Sequence, residues 1–414
     1  MNAIRFLLAI LLFASTLPAL AAGDPFGALN RVALRDDPPA LALRGVAMAQ
    51  LGDLARAKML LRRAARGFGP REAVARARCA VAEAEIALVS RDLNWPAKAL
   101  DRAHDALLRR GDRANAAHAR YLQARYLLLI GRLEEAEQRL AGFDPAPLLP
   151  ASRVGCELVF AGIAMRRLKI AAAHAALARA EKAARQARIP PLLAEVESAA
   201  HALDTPAARL IARGTERLLH LDEVETLLAS NALVIDACRR VVWYAGKVIS
   251  LETRPVLFAL ARTLAEAWPD DVSRSVLLAR AFRARHADDS HRARLRVEIG
   301  RLRRALGAVA GIEATKTGFA LVPRRAKDVV VLAPPTDESH AVVLALLADG
   351  EAWSSSALAL ALGSSQRTVQ RALDELTTAG KVQMIGRGRA RRWMTPPVPG
   401  FPTSLLLPAA LSAG

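Results

Sequence analysis

The residues of this sequence best suited to bind another molecule are arginines and glutamines concentrated in two segments. Residues 290–306 carry six arginines, and residues 364–376 carry two glutamines and two arginines. Guanidinium groups pair with phosphate oxygens, and Gln or Arg can make two hydrogen bonds to one base edge. Both segments therefore predict contact with nucleic acid. The candidate contact residues are Arg292, Arg294, Arg296, Arg301, Arg303, Lys316, Ser365, Gln366, Arg367, Gln370, Arg371, Arg387 and Arg389.

Periodicity predicts that residues 290–306 form a helix with its arginines outside. Four apolar residues at helical spacing share one face and must be core. Arginines flank the opposite face, so we expect most of them to contact phosphates and fewer to reach base edges. The core residues are Leu295, Ile299, Leu302 and Leu306, and the outermost strip is Ala293, Val297, Gly300 and Arg304.

Residues 336–396 predict a compact domain in which helices precede a hairpin. Gly363 is expected in the tight turn before the last helix, and Ser364 or Ser365 is expected to cap that helix. The last helix would pack an apolar stripe inward and leave its glutamines and arginines outside. The expected helices cover 336–349, 357–362 and 364–376, and the packed residues are Val369, Ala372, Leu373 and Leu376.

The hairpin of this domain is expected to form a wing. Strands over 380–385 and 391–395 are joined by a glycine-rich loop with Arg387 and Arg389, which can straddle phosphates or enter a minor groove. Residues 365–373 resemble the recognition helix of small bacterial repressors of the helix-turn-helix class. The resemblance implies bidentate base contacts by Gln and Arg. A winged helix that binds protein is the alternative.

Between residues 231 and 325 the sequence predicts a small sheet, then three helices, then a hairpin. β-Branched and aromatic residues over 233–251 favour short antiparallel strands. Apolar spacing predicts a helix over 253–264, and Val272 and Ser273 are expected to open another, with Ser273 as its cap.

This order resembles the OmpR-type effector domain of response regulators over about residues 231–323. The best-matching pieces are 297–306, close to that family's recognition-helix ending, and 313–323, close to its Gly-aromatic wing. The resemblance implies a winged helix that binds DNA. Glu298 and Gly300 depart from the family at groove-facing positions, and no receiver pattern precedes the domain, so phosphorylation control is not implied. A structural role with solvated arginines is the alternative.

Residues 24–206 predict a run of Ala- and Leu-rich helices of moderate length. Small residues recur along them, and glycine turns are expected at 51–53 and 130–132. The pattern resembles degenerate tetratricopeptide repeats, whose small residues let paired helices approach closely and whose groove binds a protein or peptide. An irregular helical bundle is the alternative. The recurring residues are Gly45, Ala57, Ala64, Ala87, Ala99, Ala106, Ala124, Ala136, Phe143, Ala161, Ala173 and Ala180.

Composition favours a helical protein with a polyanionic partner. The 414 residues should hold two to four domains, and the formal net charge is +19. Binding phosphates would release condensed counterions. The apolar content of 53% with only 4% aromatic residues favours helix packing. No paired carboxylates, Gly-rich phosphate loop or nucleophile triad is apparent, so we expect no enzyme and no cofactor.

Cysteine and histidine spacing predicts neither a metal site nor a disulfide. Cys79, Cys156 and Cys238 are widely separated and are expected to be buried, reduced thiols. The histidines of the helical half are expected to be partly solvated helix residues. They are His104, His118, His174 and His201.

The first 23 residues have the build of a secretory signal. Arg5 precedes an apolar run over 6–13, and a small-x-small site ends near Ala21. The run is too short for a comfortable membrane span. Two DNA-binding patterns in one chain favour the cytoplasm instead, with the segment as a repeat helix or an upstream misstart.

The sequence as a whole predicts a mainly α chain, with a tetratricopeptide-like helical-repeat region followed by two winged-helix α+β domains that have cores of their own. The expected function is a cytoplasmic DNA-binding transcriptional regulator that binds double-stranded DNA, with no membrane association. A protein or peptide in the repeat groove and a homodimer are left open, and an exported or periplasmic protein-binding adaptor is the alternative. The expected boundaries are 1–23 signal-like, 24–206 repeats, 207–230 linker helix, 231–325 and 336–396 winged helices, and 397–414 Pro-rich tail.

Overall fold

The chain is mostly helical, with sheets in its C-terminal part. Its described residues form two compact units. The helical unit comprises the residues up to Arg167, Ala171–Ala200 and those from His340 onward, and the middle unit comprises Leu168–Ile170 and His201–Ser339. The computed structural model describes residues 20, 24–93, 95, 97–282, 289–335, 340–347, 352–386, 388 and 391–395.

Helices dominate the described residues up to Asp204 because Ala and Leu are strong helix formers that also supply apolar faces. The helices are α1 Pro25–Val32, α2 Pro38–Gln50, α3 Leu54–Gly67, α4 Ala73–Val89, α5 Ala97–Arg109, α6 Arg113–Leu129, α7 Leu133–Leu140, α8 Pro150–Arg166, α9 Ile170–Ala187 and α10 Pro190–Asp204.

Short turns join several of these helices where glycine adopts a left-handed conformation. Gly52 and Gly131, in the two predicted turns, have φ of +84° and +77°, a region that costs glycine little. The carboxylate of Asp53 accepts a hydrogen bond from the backbone N of Arg56 at 3.0 Å, and Asp112 caps α6 in the same way. Both predicted turns are confirmed.

Small side chains occupy the places where these helices pack closely. A Cβ on Gly45 would lie 2.9 Å from Cγ of Leu61, so a larger residue would push α2 and α3 apart. Most of the recurring alanines are buried, whereas Ala99, Ala106 and Phe143 are only partly buried. The buried alanines are Ala57, Ala64, Ala87, Ala124, Ala136, Ala161, Ala173 and Ala180.

The middle unit combines a six-stranded sheet, a three-stranded sheet and four helices among its described residues. In the larger sheet the strand order is β2-β1-β9-β3-β4-β5, with β3 parallel to β9 and the other neighbours antiparallel. The elements are β1 Ala208–Ala212, β2 Thr215–Leu219, α11 Leu221–Ala229, β3 Leu233–Asp236, β4 Val241–Tyr244, β5 Lys247–Ser250, α12 Pro255–Ala267, β6 Val272–Ser273, α13 Arg274–Phe282, α14 Asp289–Leu306, β7 Ala310–Ala314, β8 Gly318–Pro323 and β9 Val329–Ala333.

The central strand β9 is buried on both faces of the larger sheet. Val329 and Val331 join the hydrophobic cluster that contains α12, whereas Val330 and Leu332 join the cluster that contains Val224 of α11. Side chains alternate across a strand, so a strand covered on both faces has an unbroken apolar run.

Two expected boundaries differ from the structure. Residues 207–230, expected as a linker helix, form β1, β2 and α11, because β1 pairs with both β2 and β9. The expected end at residue 325 falls before β9, which lies between β1 and β3. A domain cut at 231 and 325 would lose half of the six-stranded sheet.

Three helices and the three-stranded sheet lie between β5 and β9 in the chain, and the strand order of this smaller sheet is β6-β8-β7. The helix predicted over 290–306 is confirmed as α14, and its four core residues are at most 2% exposed. Val272 and Ser273 form β6 because they pair with Phe319 and Gly318. The expected helix begins directly after them at Arg274, and the predicted cap is confirmed, because Ser273 Oγ accepts a hydrogen bond from the backbone N of Val276 at 3.4 Å. A Cβ at Gly318 would lie 1.7 Å from the carbonyl oxygen of Val272, so only glycine allows this pairing.

The described residues between His340 and Thr395 form a C-terminal module of three helices and a short hairpin. Gly363 has a φ of +59° in the expected tight turn, and Ser365 Oγ accepts a hydrogen bond from the backbone N of Thr368 at 3.2 Å. The four residues predicted to pack are buried. The module consists of α15 Ala341–Leu347, α16 Ser355–Leu362, α17 Gln366–Thr378, β10 Gln383–Ile385 and β11 Arg392–Met394.

The C-terminal module shares its hydrophobic core with the helices before it. Trp353 is fully buried and exchanges two backbone hydrogen bonds of 2.8 Å with Trp393. The guanidinium carbon of Arg91 lies 5.4 Å from the centroid of the Trp353 ring. One continuous cluster joins these side chains to Leu122 and Leu127 of α6. The expectation of a separate core is therefore wrong for this module, whose three short helices alone enclose little apolar surface.

Two of the three cysteines are buried as expected. Burial raises the pKa of the Cys79 and Cys156 thiols to about 12, so both stay protonated at neutral pH. Cys238 is exposed, which corrects the expectation for that residue. Asp236 Oδ1 accepts hydrogen bonds from the backbone N of Cys238 and of Arg239, which holds Cys238 in the turn between β3 and β4.

Candidate nucleic-acid interface

Helix α14 has an uncovered face opposite its buried stripe. Val297 is 54% exposed, and a Cβ added at Gly300 would meet no atom within 4 Å. Nothing in the described part of the middle unit therefore covers this strip. The arginines of the helix are exposed, and they are Arg292, Arg294, Arg296, Arg301, Arg303 and Arg304.

Neighbouring side chains fix two of these arginines. Arg301 Nη1 lies 2.8 Å from Glu298 Oε1, and the guanidinium carbon of Arg294 lies 4.8 Å from the centroid of the Phe282 ring. Both contacts restrict a long side chain before any ligand binds, which lowers the entropy cost of a later contact.

Two further arginines fix the hairpin between β7 and β8. Arg303 Nε donates a hydrogen bond to the carbonyl oxygen of Ile312 at 2.7 Å, and Arg274 Nη1 donates one to that of Lys316 at 3.1 Å. Their guanidinium carbons lie 6.0 and 5.6 Å from the centroid of the Phe319 ring. Arg274 was not in the predicted set, because its role depends on the distant hairpin. The side chain of Lys316 stays exposed at the hairpin tip.

Asp271 also holds the hairpin tip. Its carboxylate accepts hydrogen bonds from the hydroxyls of Thr315 and Thr317. These hydrogen bonds lower the pKa of Asp271, because they favour its charged form. The exposed Lys316 therefore lies between two anchored threonines.

Helix α17 exposes Gln366, Arg367 and Arg371 and leaves Gln370 half-buried. Both of its glutamine amides have partners within the module. Gln366 Nε2 donates to Ser355 Oγ at 3.0 Å, and Gln370 Nε2 donates to Asp374 Oδ1 at 2.9 Å. A base contact through either amide group would replace these hydrogen bonds. The other predicted contact residues of this region, Ser365, Arg367 and Arg371, are exposed. The predicted wing residues Arg387 and Arg389 lie outside the described residues.

The helical unit contains a partly enclosed cavity of about 170 Å³. Leu88, Leu100 and Leu127 line it together with the aromatic rings of Trp95 and Tyr126. Three acids line the cavity, and each has a partner. Asp92 pairs with Lys58 at 3.0 Å, Asp101 pairs with Gln123 at 2.7 Å, and Glu135 pairs with Arg132.

A buried polar cluster joins α4 and α6. His118 Nε2 lies 3.0 Å from Glu85 Oε2, and Tyr121 Oη donates to Glu85 Oε1 at 3.5 Å. All three residues are at most 1% exposed, so the expectation that His118 is partly solvated is wrong. Burial raises the pKa of Tyr121 well above its usual value. His118 and Tyr121 are one helical turn apart and share the face of α6 that meets α4.

Neither a metal site nor a membrane span is found among the residues that the structure describes. No group of three or more His, Cys, Asp or Glu side chains is placed there to hold a metal ion. None of the described helices is long and apolar enough to cross a bilayer. Comparison with family models, curated proteins and solved structures gave no match to the chain.

Proposed function

We propose that this chain is a DNA-binding transcriptional regulator. One observation carries the proposal: α14 buries an apolar stripe in the middle unit and exposes six arginines beside a hairpin tipped by Lys316. A helix of this kind suits a major groove, and a basic hairpin beside it suits the adjacent backbone. The order of sheet, three helices and hairpin supports a winged helix in the middle unit.

The C-terminal module is proposed as a second DNA contact. The tight turn at Gly363 separates α16 from α17, as in a helix-turn-helix motif. Gln366, Arg367, Gln370 and Arg371 lie in the first half of α17, where recognition helices reach base edges. We therefore propose that α17 reads sequence, while the arginines of α14 contact mainly the phosphate backbone.

The helical unit is proposed as the sensor or oligomerisation region of a cytoplasmic regulator. Its cavity is close to the volume of about 150 Å³ that holds one benzene ring in an engineered apolar site. Because the acids Asp92, Asp101 and Glu135 all have partners within the unit, the cavity offers a ligand apolar contacts beside charges that are already paired. The tetratricopeptide-like arrangement of helices, a protein or peptide in its groove, and a homodimer are parts of this proposal.

The direct test is the salt dependence of duplex binding. We expect fluorescence anisotropy with a labelled duplex to show an affinity that falls on the order of a thousandfold between about 50 and 200 mM salt, since several phosphates are neutralised. An uncharged or anionic carrier protein under the same conditions is the control. Absent or salt-independent binding would contradict the proposal.

Two single substitutions test the proposed division of labour. Gln370→Ala should reduce the preference for a selected operator over random DNA by about 1–3 kcal/mol, because one base contact is lost. Arg301→Ala should weaken binding to both DNAs alike. Equal losses on operator and random DNA for both variants would reject the division.

An exported protein-binding adaptor is the second candidate, favoured by the signal-like sequence of residues 1–23. It predicts a mature chain that begins after Ala21 or Ala22 and is recovered outside the cytoplasm. The intact mass of the chain from each cell fraction distinguishes the two candidates.

A further inference from the structure

A cleft lined by two arginines outside the predicted contact set, Arg254 and Arg304, carries a further inference about the middle unit. It has a volume of about 640 Å³ and opens between the first turn of α12 and the second half of α14. Arg254 lines it from the α12 side, and Arg301 and Arg304 line it from α14. We propose that Arg254 and Arg304 bind one backbone phosphate of the DNA there, an inference that rests on the proposed function.

The charge balance of the cleft favours an anion. Glu298 is the acidic residue among those that line it; its side chain is only 12% exposed, and its carboxylate pairs with Arg301 at 2.8 Å. This pair neutralises one of the three arginines, so the guanidinium groups of Arg254 and Arg304 give the cleft its net positive charge.

The chemistry of the two arginines favours phosphate over an anion that offers only one acceptor atom. A guanidinium group presents a planar fork that matches two oxygens of a phosphate, and here two forks come from separate helical elements. The backbone N–H groups of Val256 and Leu257 in the first turn of α12, which have no intrahelical acceptors, add to the favourable field.

The position of the cleft connects it to the proposed DNA surface. By helical spacing Arg304 belongs to the same outer strip of α14 as Val297 and Gly300, the strip that nothing in the described middle unit covers. A duplex that follows this strip toward the end of α14 therefore reaches the cleft. Its backbone is the source of phosphate to which the proposal commits.

The test uses the full chain with Arg254→Ala, Arg304→Ala and the double variant. Each single variant should bind a random-sequence duplex on the order of tenfold more weakly, because a charged hydrogen bond is lost. The double variant should reduce the slope of log affinity against log salt by about 0.9, the value for one phosphate contact. Arg304→Lys should keep the wild-type slope, since it keeps the charge.

Arg217→Ala is the matched control, because Arg217 is an exposed arginine of β2 that pairs with Glu223 and lies outside the cleft. It removes the same charge and should leave the slope unchanged. If Arg217→Ala lowers the slope as much as the double variant does, or if the double variant has the wild-type slope, the cleft assignment is overturned. Circular dichroism at each variant's assay temperature checks that it is folded.

A failure of the proposed function gives a different result. If the wild-type chain does not bind duplex DNA, the regulator proposal fails first, and melting curves with inorganic pyrophosphate then examine the cleft alone. Stabilisation of the wild type but not of the double variant would show a site for free oxyanions and overturn the assignment to DNA. Equal behaviour of the two proteins would also overturn it.

Discussion

The two modules with three helices and a hairpin differ in what encloses their cores. In the middle unit, α12, α13 and α14 close against a six-stranded sheet, and their cluster includes Leu233, Ile235 and Val331 from that sheet. In the C-terminal module, Trp353 and Leu373 belong to one cluster with the helices α4 to α8. Similar local patterns thus give one module a core of its own and make the other dependent on its neighbours.

The same two modules differ in how their polar side chains are held before binding. On α14, Arg294 and Arg303 lie over aromatic rings, which leaves their charge available to a phosphate. On α17, Gln366 and Gln370 donate to side chains of their own module. Under the proposed function, contact of α14 with the DNA backbone would need little rearrangement, whereas base contact by the α17 glutamines would require exchange of hydrogen bonds.

The largest expected effect concerns folding of the two modules in isolation. A fragment of residues 201–339 should fold, because it retains both sheets and their core. A fragment of residues 340–414 should stay unfolded, because the core partners of Trp353 and Leu373 are removed. Circular dichroism and thermal melts of both fragments check this expectation.

A third fragment sharpens the result. Residues 231–339 lack β1 and β2, so this fragment should melt well below 201–339 or fail to fold. A cooperative melt of residues 340–414 alone would show that the shared cluster is not required, and the contrast between the modules would then be lost.

A smaller effect is expected from single core substitutions in the full chain. Trp353→Ala should destabilise the helical unit by about 3–5 kcal/mol, since a fully buried indole is removed. Hydrogen exchange should then increase in α6 as well as in α17. Leu302→Ala, the matched substitution, should cost about 2–5 kcal/mol in the middle unit and increase exchange in α12.

Hydrogen exchange in α6, compared between Trp353→Ala and Leu302→Ala, tests whether the two cores are independent. Unchanged protection of α6 in Trp353→Ala would mean that the C-terminal module opens without the rest of the helical unit. Increased exchange of α6 in Leu302→Ala would contradict the independence of the two cores.

Local periodicity predicted the parts of the fold that depend on near neighbours in sequence. The stripe of Leu295, Ile299 and Leu302 in α14 and the turn at Gly363 follow from helix geometry and backbone preference alone. Both are confirmed. The candidate site was predictable to the same extent, because an arginine opposite a core stripe must be exposed.

Pairing between distant segments could not be predicted in this way. Residues 208–219 are rich in Ala, Leu and Arg, which favour a helix, yet β1 becomes a strand because it pairs with β9. The unbroken apolar run of β9 fits a buried strand or a buried helix equally well. Asp271 gains its role at the hairpin only when Thr315 and Thr317 reach it, which sequence spacing does not show.

The smallest expected effect concerns Asp271 and the order of the hairpin tip. The pKa of its carboxyl is lowered in the folded state, first by the hydroxyl of Thr315 and then by that of Thr317. The contribution of these hydrogen bonds is therefore fully present above the unfolded-state pKa of about 3.9 and is lost as pH falls through the lower folded-state pKa. Amide protection at the hairpin tip should stay constant from pH 7 to about pH 5 and fall below about pH 4.

Asp271→Ala should reproduce the acid-loosened hairpin at neutral pH and weaken duplex binding a few-fold, because Lys316 and its neighbours must then be ordered during binding. Asp271→Asn should bind duplex DNA with an affinity between those of the wild type and Asp271→Ala, since its amide oxygen still accepts a hydrogen bond. Asp270→Ala is the matched control, because it removes the same charge one residue away. Nuclear magnetic resonance of the Thr315 and Thr317 amides follows the tip directly. If Asp270→Ala and Asp271→Ala changed duplex binding equally and left the spectra at the tip unchanged, the hydrogen bonds of Asp271 to the hairpin would have no part in binding. The contrast between the modules would then no longer include a preorganised hairpin.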